Sequence, residues 1–181
     1  MALDWPNYAR VTETEEEVRS IRAKYVALVA MCDEYLGRLL DRFDEENLWE
    51  DTVLIATSDH GFLLSEHDWW AKVKMPMYQE VSHIPLIIWH PDFADHAGER
   101  RQALTSAVDV LPTLAEIYGA GAPAEAQGQS LVPLLAADGP GHEVVLSGVF
   151  GGPMLISDGN YAFHYRPQWL DSTDLYEYRL L

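Results

Sequence analysis

From Glu15 to about Glu46 the apolar residues Val18, Ile21, Tyr25, Leu28, Val29, Cys32, Leu36, Leu39, Leu40 and Phe43 recur at three- and four-residue steps. That spacing predicts one long amphipathic helix, with Gly37 as a point where it can break. Thr12 or Thr14 is placed to cap it, and Glu15, Glu16 and Glu17 fall in its first turn, at the positive end of the helix dipole. Its remaining charges read as a solvated face. The period then changes. Val53 to Thr57 is a continuous β-branched and apolar run, which predicts a strand buried on both faces, parallel and central, forming one αβ unit with the helix before it. Ile84 to Trp89, with Pro85 near its start, predicts a second buried strand beside the first. Between them lie Phe62-Leu63-Leu64 and a loop from His67 to Lys74, whose Trp69 and Trp70 read as packing groups.

Ala103 to Val108 reads as a short strand, and Asp109 opens a helix running from Val110 or Pro112 to Tyr118, stopped by Gly119 and Gly121. Gly119 to Gln129 is a connector. After Leu135 the runs shorten: Val144–Phe150, Met154–Ser157, Tyr161–Tyr165 and Leu175–Tyr178 are separated by turn signals such as Ser157-Asp158-Gly159-Asn160. The chain therefore predicts an α/β fold, a sheet flanked by helices over residues 1–135, followed by a small antiparallel β subdomain over 136–181.

Composition narrows the function. A net charge of −17 with only 12 Lys and Arg excludes nucleic acid as a partner, since phosphate-backbone binding needs a basic face. A small anionic substrate fits if a few cations converge. Cys32 is the only cysteine, so there is no internal disulfide and no cysteine-based zinc cluster; its place in the helix reads as core packing. No apolar run approaches the roughly 18 residues of a membrane span, and Met1-Ala2-Leu3-Asp4-Trp5-Pro6 lacks the basic flank and apolar core of a signal peptide. As written, the chain reads as soluble, cytoplasmic and without a membrane partner.

The chemistry gathers at the end of the first strand, in Ser58-Asp59-His60-Gly61. Asp59 offers a hard anionic oxygen and His60 an imidazole nitrogen; beyond the carboxyl end of a buried strand, where ligands of open α/β sheets collect, the pair is fit to share one divalent cation. An oxygen-rich site with one nitrogen suits calcium or manganese. Out of that context the same residues make an ordinary polar turn. His83, ahead of Ile84-Pro85, reads as a packed or hydrogen-bonded histidine.

Ser58-Asp59-His60-Gly61, then Ser65-Glu66-His67 and Trp70-Ala71-Lys72, resemble the second metal-binding segment of the sulfatases and phosphonate monoester hydrolases of the alkaline phosphatase superfamily. The likeness continues in family order through Tyr78–Ile88, Val108-Asp109-Val110-Leu111-Pro112-Thr113-Leu114 and Gly128-Gln129-Ser130-Leu131. It implies a partial alkaline-phosphatase-like sheet, metal ligation by Asp59 and His60, and a catalytic, substrate-binding role for Lys72 on the ester's oxyanions. His67 lies inside the motif, with a supporting role or a substrate contact; Lys74 is displaced from it.

The departures from that pattern bear on activity. The family's nucleophile, a cysteine oxidised to formylglycine in a Cys-x-Pro-x-Arg segment, is expected only in an N-terminal part absent here, because Cys32 is followed by Asp33-Glu34-Tyr35-Leu36. The early Asp pair and the upstream His and Lys are missing too. The reading is a sulfatase-like, metal-dependent hydrolase fragment with little turnover alone, truncated at both ends and prone to self-association; the alternative is a non-catalytic αβ module retaining a metal or anion pocket, and a third variant has a separate chain supplying the missing half. Sulfate, sulfamate, phosphonate and phosphodiester substrates are not separated by these residues.

Overall fold

The computed structural model describes residues 9–72, 75–149, 152–165 and the strand Tyr176–Arg179. The expected entry segment before Ala9, and Lys74, lie outside them. Helix α1 runs unbroken through Gly37 from Glu15 to Glu45. Thr14 is its N-cap and forms a capping box with Glu17, each side chain reaching the other's backbone amide.

The two expected strands are neighbours, but their direction and burial differ from expectation. β1 (Leu54–Thr57) pairs antiparallel with β4 (Leu86–Trp89) in a two-stranded sheet, in the register Leu54↔Trp89 to Thr57↔Leu86. Most of their residues are half-buried, and Ile87 is 65% exposed, so this is not a strand pair covered on both faces. A continuous apolar run specifies burial on both faces only once a neighbour covers each, and among the described residues neither strand has a second neighbour. Trp49 packs against Phe43 and edge-on against Trp89, at 4.7 and 5.2 Å between ring centroids, tying the end of α1 to β4.

The same lack of cover corrects the reading of α1. Phe43 is its one buried residue, whereas Val26, Leu28, Val29 and Tyr35 are more than half exposed, and Cys32 is exposed rather than packed in a core. The expected strand at Ala103–Val108 does not form: among the described residues the segment joins no ladder, and it closes in a 3-10 turn, Ala107–Asp109, that leads into α3 (Val110–Ile117).

Between β1 and β4 the chain forms a small hairpin, β2 (Leu63–Leu64) with β3 (Trp70–Ala71), followed by the short helix α2 (Gln79–Ser82). After α3 and the one-turn α4 (Val132–Ala136) comes the expected antiparallel sheet, in order β5 (Val145–Gly148), β6 (Met154–Ser157), β7 (Tyr161–Tyr165) and β8 (Tyr176–Arg179). Its inner face supplies Leu155 and Ala162 to a core completed by Leu63, Met75, Met77 and Val81. The hairpin that leads into Lys72 thus rests on the C-terminal sheet; fully burying a side chain such as Leu63 contributes about 1.5–3 kcal/mol.

Candidate functional site at the end of strand β1

Thr57 closes β1 by donating its hydroxyl to Pro85 O at 2.8 Å, which ties the strand end to the entry of β4. Ser58 Oγ donates to His60 O at 2.9 Å, and Asp59 Oδ1 accepts from the His60 amide at 2.9 Å. These local bonds replace ladder bonds and curl the chain, so consecutive side chains reach one side instead of alternating. Gly61 serves close packing rather than a left-handed turn. Its φ is not left-handed; its amide donates to Val81 O at 2.8 Å, and a β-carbon there would stand 1.8 Å from Glu80 O. Glycine is required by the close approach of two backbones.

His60 Nδ1 lies 2.9 Å from Gly61 O, and a carbonyl can only accept, so Nδ1 carries the proton. Lys72 Nζ meets Nε2 of the same ring. Asp59 Oδ2 stands 3.2 Å from the same Nε2. Two ligands at right angles on one cation, each about 2.3 Å away, would be separated by about 3.2 Å. The pair therefore has the spacing and chemistry of two neighbouring ligands, on a side open to solvent: the Asp59 side chain is 82% exposed and that of His60 31%. Among the described residues no group of three or more His, Cys, Asp or Glu side chains is placed to hold a metal ion.

Lys72 is delivered by the β2–β3 hairpin. Its tip, Ser65 to Trp69, closes on itself through Ser65 N to Trp69 O and Trp69 N to Glu66 O, both 3.0 Å. Ser65, His67, Asp68 and Ala71 all have left-handed φ, between 54° and 86°, and none is glycine. Each such residue costs about 1–2 kcal/mol, so the path persists only because its surroundings hold it. Val11 N donates to Asp68 O at 3.1 Å, Trp70 Nε1 donates to Glu13 at 2.8 Å, and the Arg10 guanidinium lies 3.7 Å over the Trp69 ring. Trp69 also packs against the core, in line with the packing role expected of the tryptophans. His67 stacks on Tyr78 at 3.9 Å and places Nε2 3.1 Å from Glu80 Oε1; its contacts support the hairpin and do not join it to His60. His83 is exposed and hydrogen-bonds Gln79 at 3.0 Å, apart from the site.

Sequence reasoning missed two supports. Arg22 was placed on the solvated face of α1, yet it reaches the hairpin 42 to 44 residues away. Asp109 was read as a helix start. It is fully buried, accepting from Ser106 N at 2.7 Å, Gln129 N at 2.9 Å and His142 Nε2 at 2.7 Å, and so clamps α3 to both later segments. No local spacing signals either contact.

Fold and site together define an α/β protein with a carboxylate, an imidazole and an ammonium drawn together where a strand ends. Comparison with known proteins identifies the lineage. The chain matches the sulfatase family over residues 4–120, more than half its length, and it belongs to that family, within the alkaline phosphatase superfamily. It is 41% identical over 124 residues to arylsulfatase K of Xenopus laevis, covering 68% of this chain and 22% of that protein. It is 37% identical over 129 residues to the multifunctional alkaline phosphatase superfamily protein PehA of Trinickia caryophylli, covering 71% and 25%. A solved structure in complex with its substrate D-glucosamine-2-N,6-O-disulfate superposes with a TM-score of 0.73 at 29% identity, over 86% of this chain and 33% of that one. The chain thus spans about a quarter or less of the length of these curated relatives. Among the described residues no helix is long and apolar enough to cross a membrane.

Proposed function

We propose that this chain carries the later part of the active site of a sulfuric ester hydrolase, in which Asp59 and His60 ligate one divalent cation and Lys72 binds the anionic ester group. The observation that carries this reading is the convergence on His60 Nε2 of Asp59 Oδ2, at 3.2 Å, and Lys72 Nζ. Membership of the sulfatase family favours a sulfate ester over a phosphate or phosphonate ester. Calcium or manganese suits one carboxylate and one imidazole. When bound, the cation would neutralise charge on the substrate's oxygens.

The residues of the chain divide the work. The bond from His60 Nδ1 to Gly61 O fixes the ring with Nε2 aimed at the site. Lys72 offers a mobile cation for the non-bridging oxygens and for charge developing on the leaving oxygen. No Cys-x-Pro-x-Arg segment occurs in the 181 residues, so an activated nucleophile is not supplied and turnover by the chain alone should stay near background. In this reading residues 1–135 belong to the catalytic domain and 136–181 to its antiparallel subdomain.

The test is a titration of calcium and manganese into the wild-type chain and into Asp59→Ala, followed by melting temperature and calorimetry, with aryl sulfate and phosphonate ester hydrolysis assayed in parallel. A cation that binds only the folded state raises its stability, by about 2.7 kcal/mol at a hundredfold excess over Kd. The wild type should show that rise and Asp59→Ala should lose it. Identical behaviour of the two proteins rules out the site, and hydrolysis that survives both Asp59→Ala and Lys72→Ala rules out the assignment of these residues.

A further inference from the structure

Lys72 follows β3 directly, and β3 is registered against β2 through Leu63↔Ala71 and Leu64↔Trp70. The group that grips β2 and the first residues of the tip comes from α1, two turns into the helix. Arg22 Nε donates to Leu64 O at 2.7 Å; its Nη2 donates to Ser65 Oγ at 2.7 Å and lies 3.2 Å from Glu66 Oε1. Glu66 turns its other oxygen back to accept from the Leu64 amide at 2.5 Å. Arg22, Leu64, Ser65 and Glu66 thereby form a closed ring of hydrogen bonds around the residue where the backbone first enters the left-handed region, Ser65 at φ 86°.

We propose that Arg22 is a positioning residue for Lys72: its planar fork holds β2 and the start of the tip in their strained path, and the register with β3 passes that constraint to the ammonium that meets His60 Nε2. The inference rests on the anion-binding role given to Lys72 above. A fork is needed because two donors must reach two acceptors at a fixed angle, one a backbone carbonyl and one a hydroxyl; an ammonium can replace the charge but not that geometry. Arg19, nearly one turn earlier, makes a useful contrast, since its partner is the exposed Glu15 of the same helix.

The experiment follows the His60 imidazole resonances of the full chain at one fixed pH, with the His164 resonances in β7 reporting on the fold, and a titration with inorganic sulfate. Lys72→Met sets the signature of a lost Lys72–His60 contact. Arg22→Ala should move the His60 signals toward that signature and weaken sulfate binding about tenfold, leaving His164 unmoved. Arg22→Lys should recover part of both effects, and Arg19→Ala should do nothing. Should Arg22→Ala fail to fold, Glu66→Gln and Ser65→Ala each remove one side of the ring without touching α1, and should move the His60 signals part of the way. His60 signals at their wild-type position in Arg22→Ala, while Lys72→Met shifts them, overturn the proposal and leave the site reading intact. If Lys72→Met itself leaves them in place, the site reading and the proposal fall together.

Discussion

Replacing Gly61 by alanine puts a methyl carbon where main chain already runs. The added carbon would stand 1.8 Å from Glu80 O, 2.9 Å from Glu80 C and 3.2 Å from Val81 Cα, atoms of a backbone and not the yielding end of a side chain. An ordinary carbon–oxygen contact is about 3.3 Å or longer, so the two segments must part by about 1.5 Å. That separation breaks the 2.8 Å bond from Gly61 N to Val81 O, and Val81 is 2% exposed, so water does not readily take the vacated place. Overpacking costs about 1–3 kcal/mol and the lost hydrogen bond about 1, giving about 2–4 kcal/mol in all. For a chain of this size that lowers the melting temperature by about 10 °C. Gly37→Ala is the paired measurement with the opposite sign. No atom lies within 4 Å of its added carbon, and it sits inside α1, where alanine should stabilise by about 0.5–1 kcal/mol. Urea unfolding of both variants, followed by circular dichroism, checks the pair. A Gly61→Ala protein as stable as wild type, or a Gly37→Ala protein destabilised as far as Gly61→Ala, refutes the reasoning.

Asp109→Ala should cost about 3–5 kcal/mol by urea denaturation, because it strands the Ser106 and Gln129 amides and the His142 ring around a buried vacancy, and Asp109→Asn should cost less by keeping an acceptor there. Stability should also fall on mild acidification. Burial holds His164 below its ordinary pKa of 6.5, so from about pH 6.5 downward the unfolded chain takes up a proton that the folded chain refuses, and above that pH the group contributes nothing. Urea midpoints measured across that range should lose this slope in His164→Phe. Glu13, Glu17, Glu99 and Asp158 are held below the ordinary carboxylate range by hydrogen bonds, chiefly from Trp70, Thr14, Arg101 and the Tyr161 amide, and their contribution disappears only in stronger acid, which keeps the two effects apart.

What the sequence disclosed and what it withheld divide along the reach of the contacts. Thr14 and Glu17 are three residues apart, and their capping box was half legible from composition alone, as was the α1 period. Asp59 and His60 are adjacent, so whatever they bind they bind from one turn, and a strand end followed by glycine is enough to raise the question. The direction of β1 against β4 was not legible, because an apolar run of four or five residues says nothing of the sense of its neighbour. The left-handed path through Ser65, His67, Asp68 and Ala71 was hidden for a sharper reason: the usual marker of positive φ is glycine, and the tip has none. Without that marker the backbone must be held by partners, and those partners, among them Val11 before α1, Arg22 on α1, and Tyr78 before and Glu80 in α2, all lie at least 11 residues from what they hold. Local chemistry therefore locates the metal-competent pair, whereas the placement of Lys72 beside it is a tertiary property. On the proposed role of Arg22, a substitution on the hairpin-facing side of α1 reaches the site without touching Asp59, His60 or Lys72. Conversely, on the proposed assignment, a chain retaining the Asp-His-Gly turn but lacking an arginine at the position of Arg22 should bind a cation as the wild type does and lose its hold on the anion.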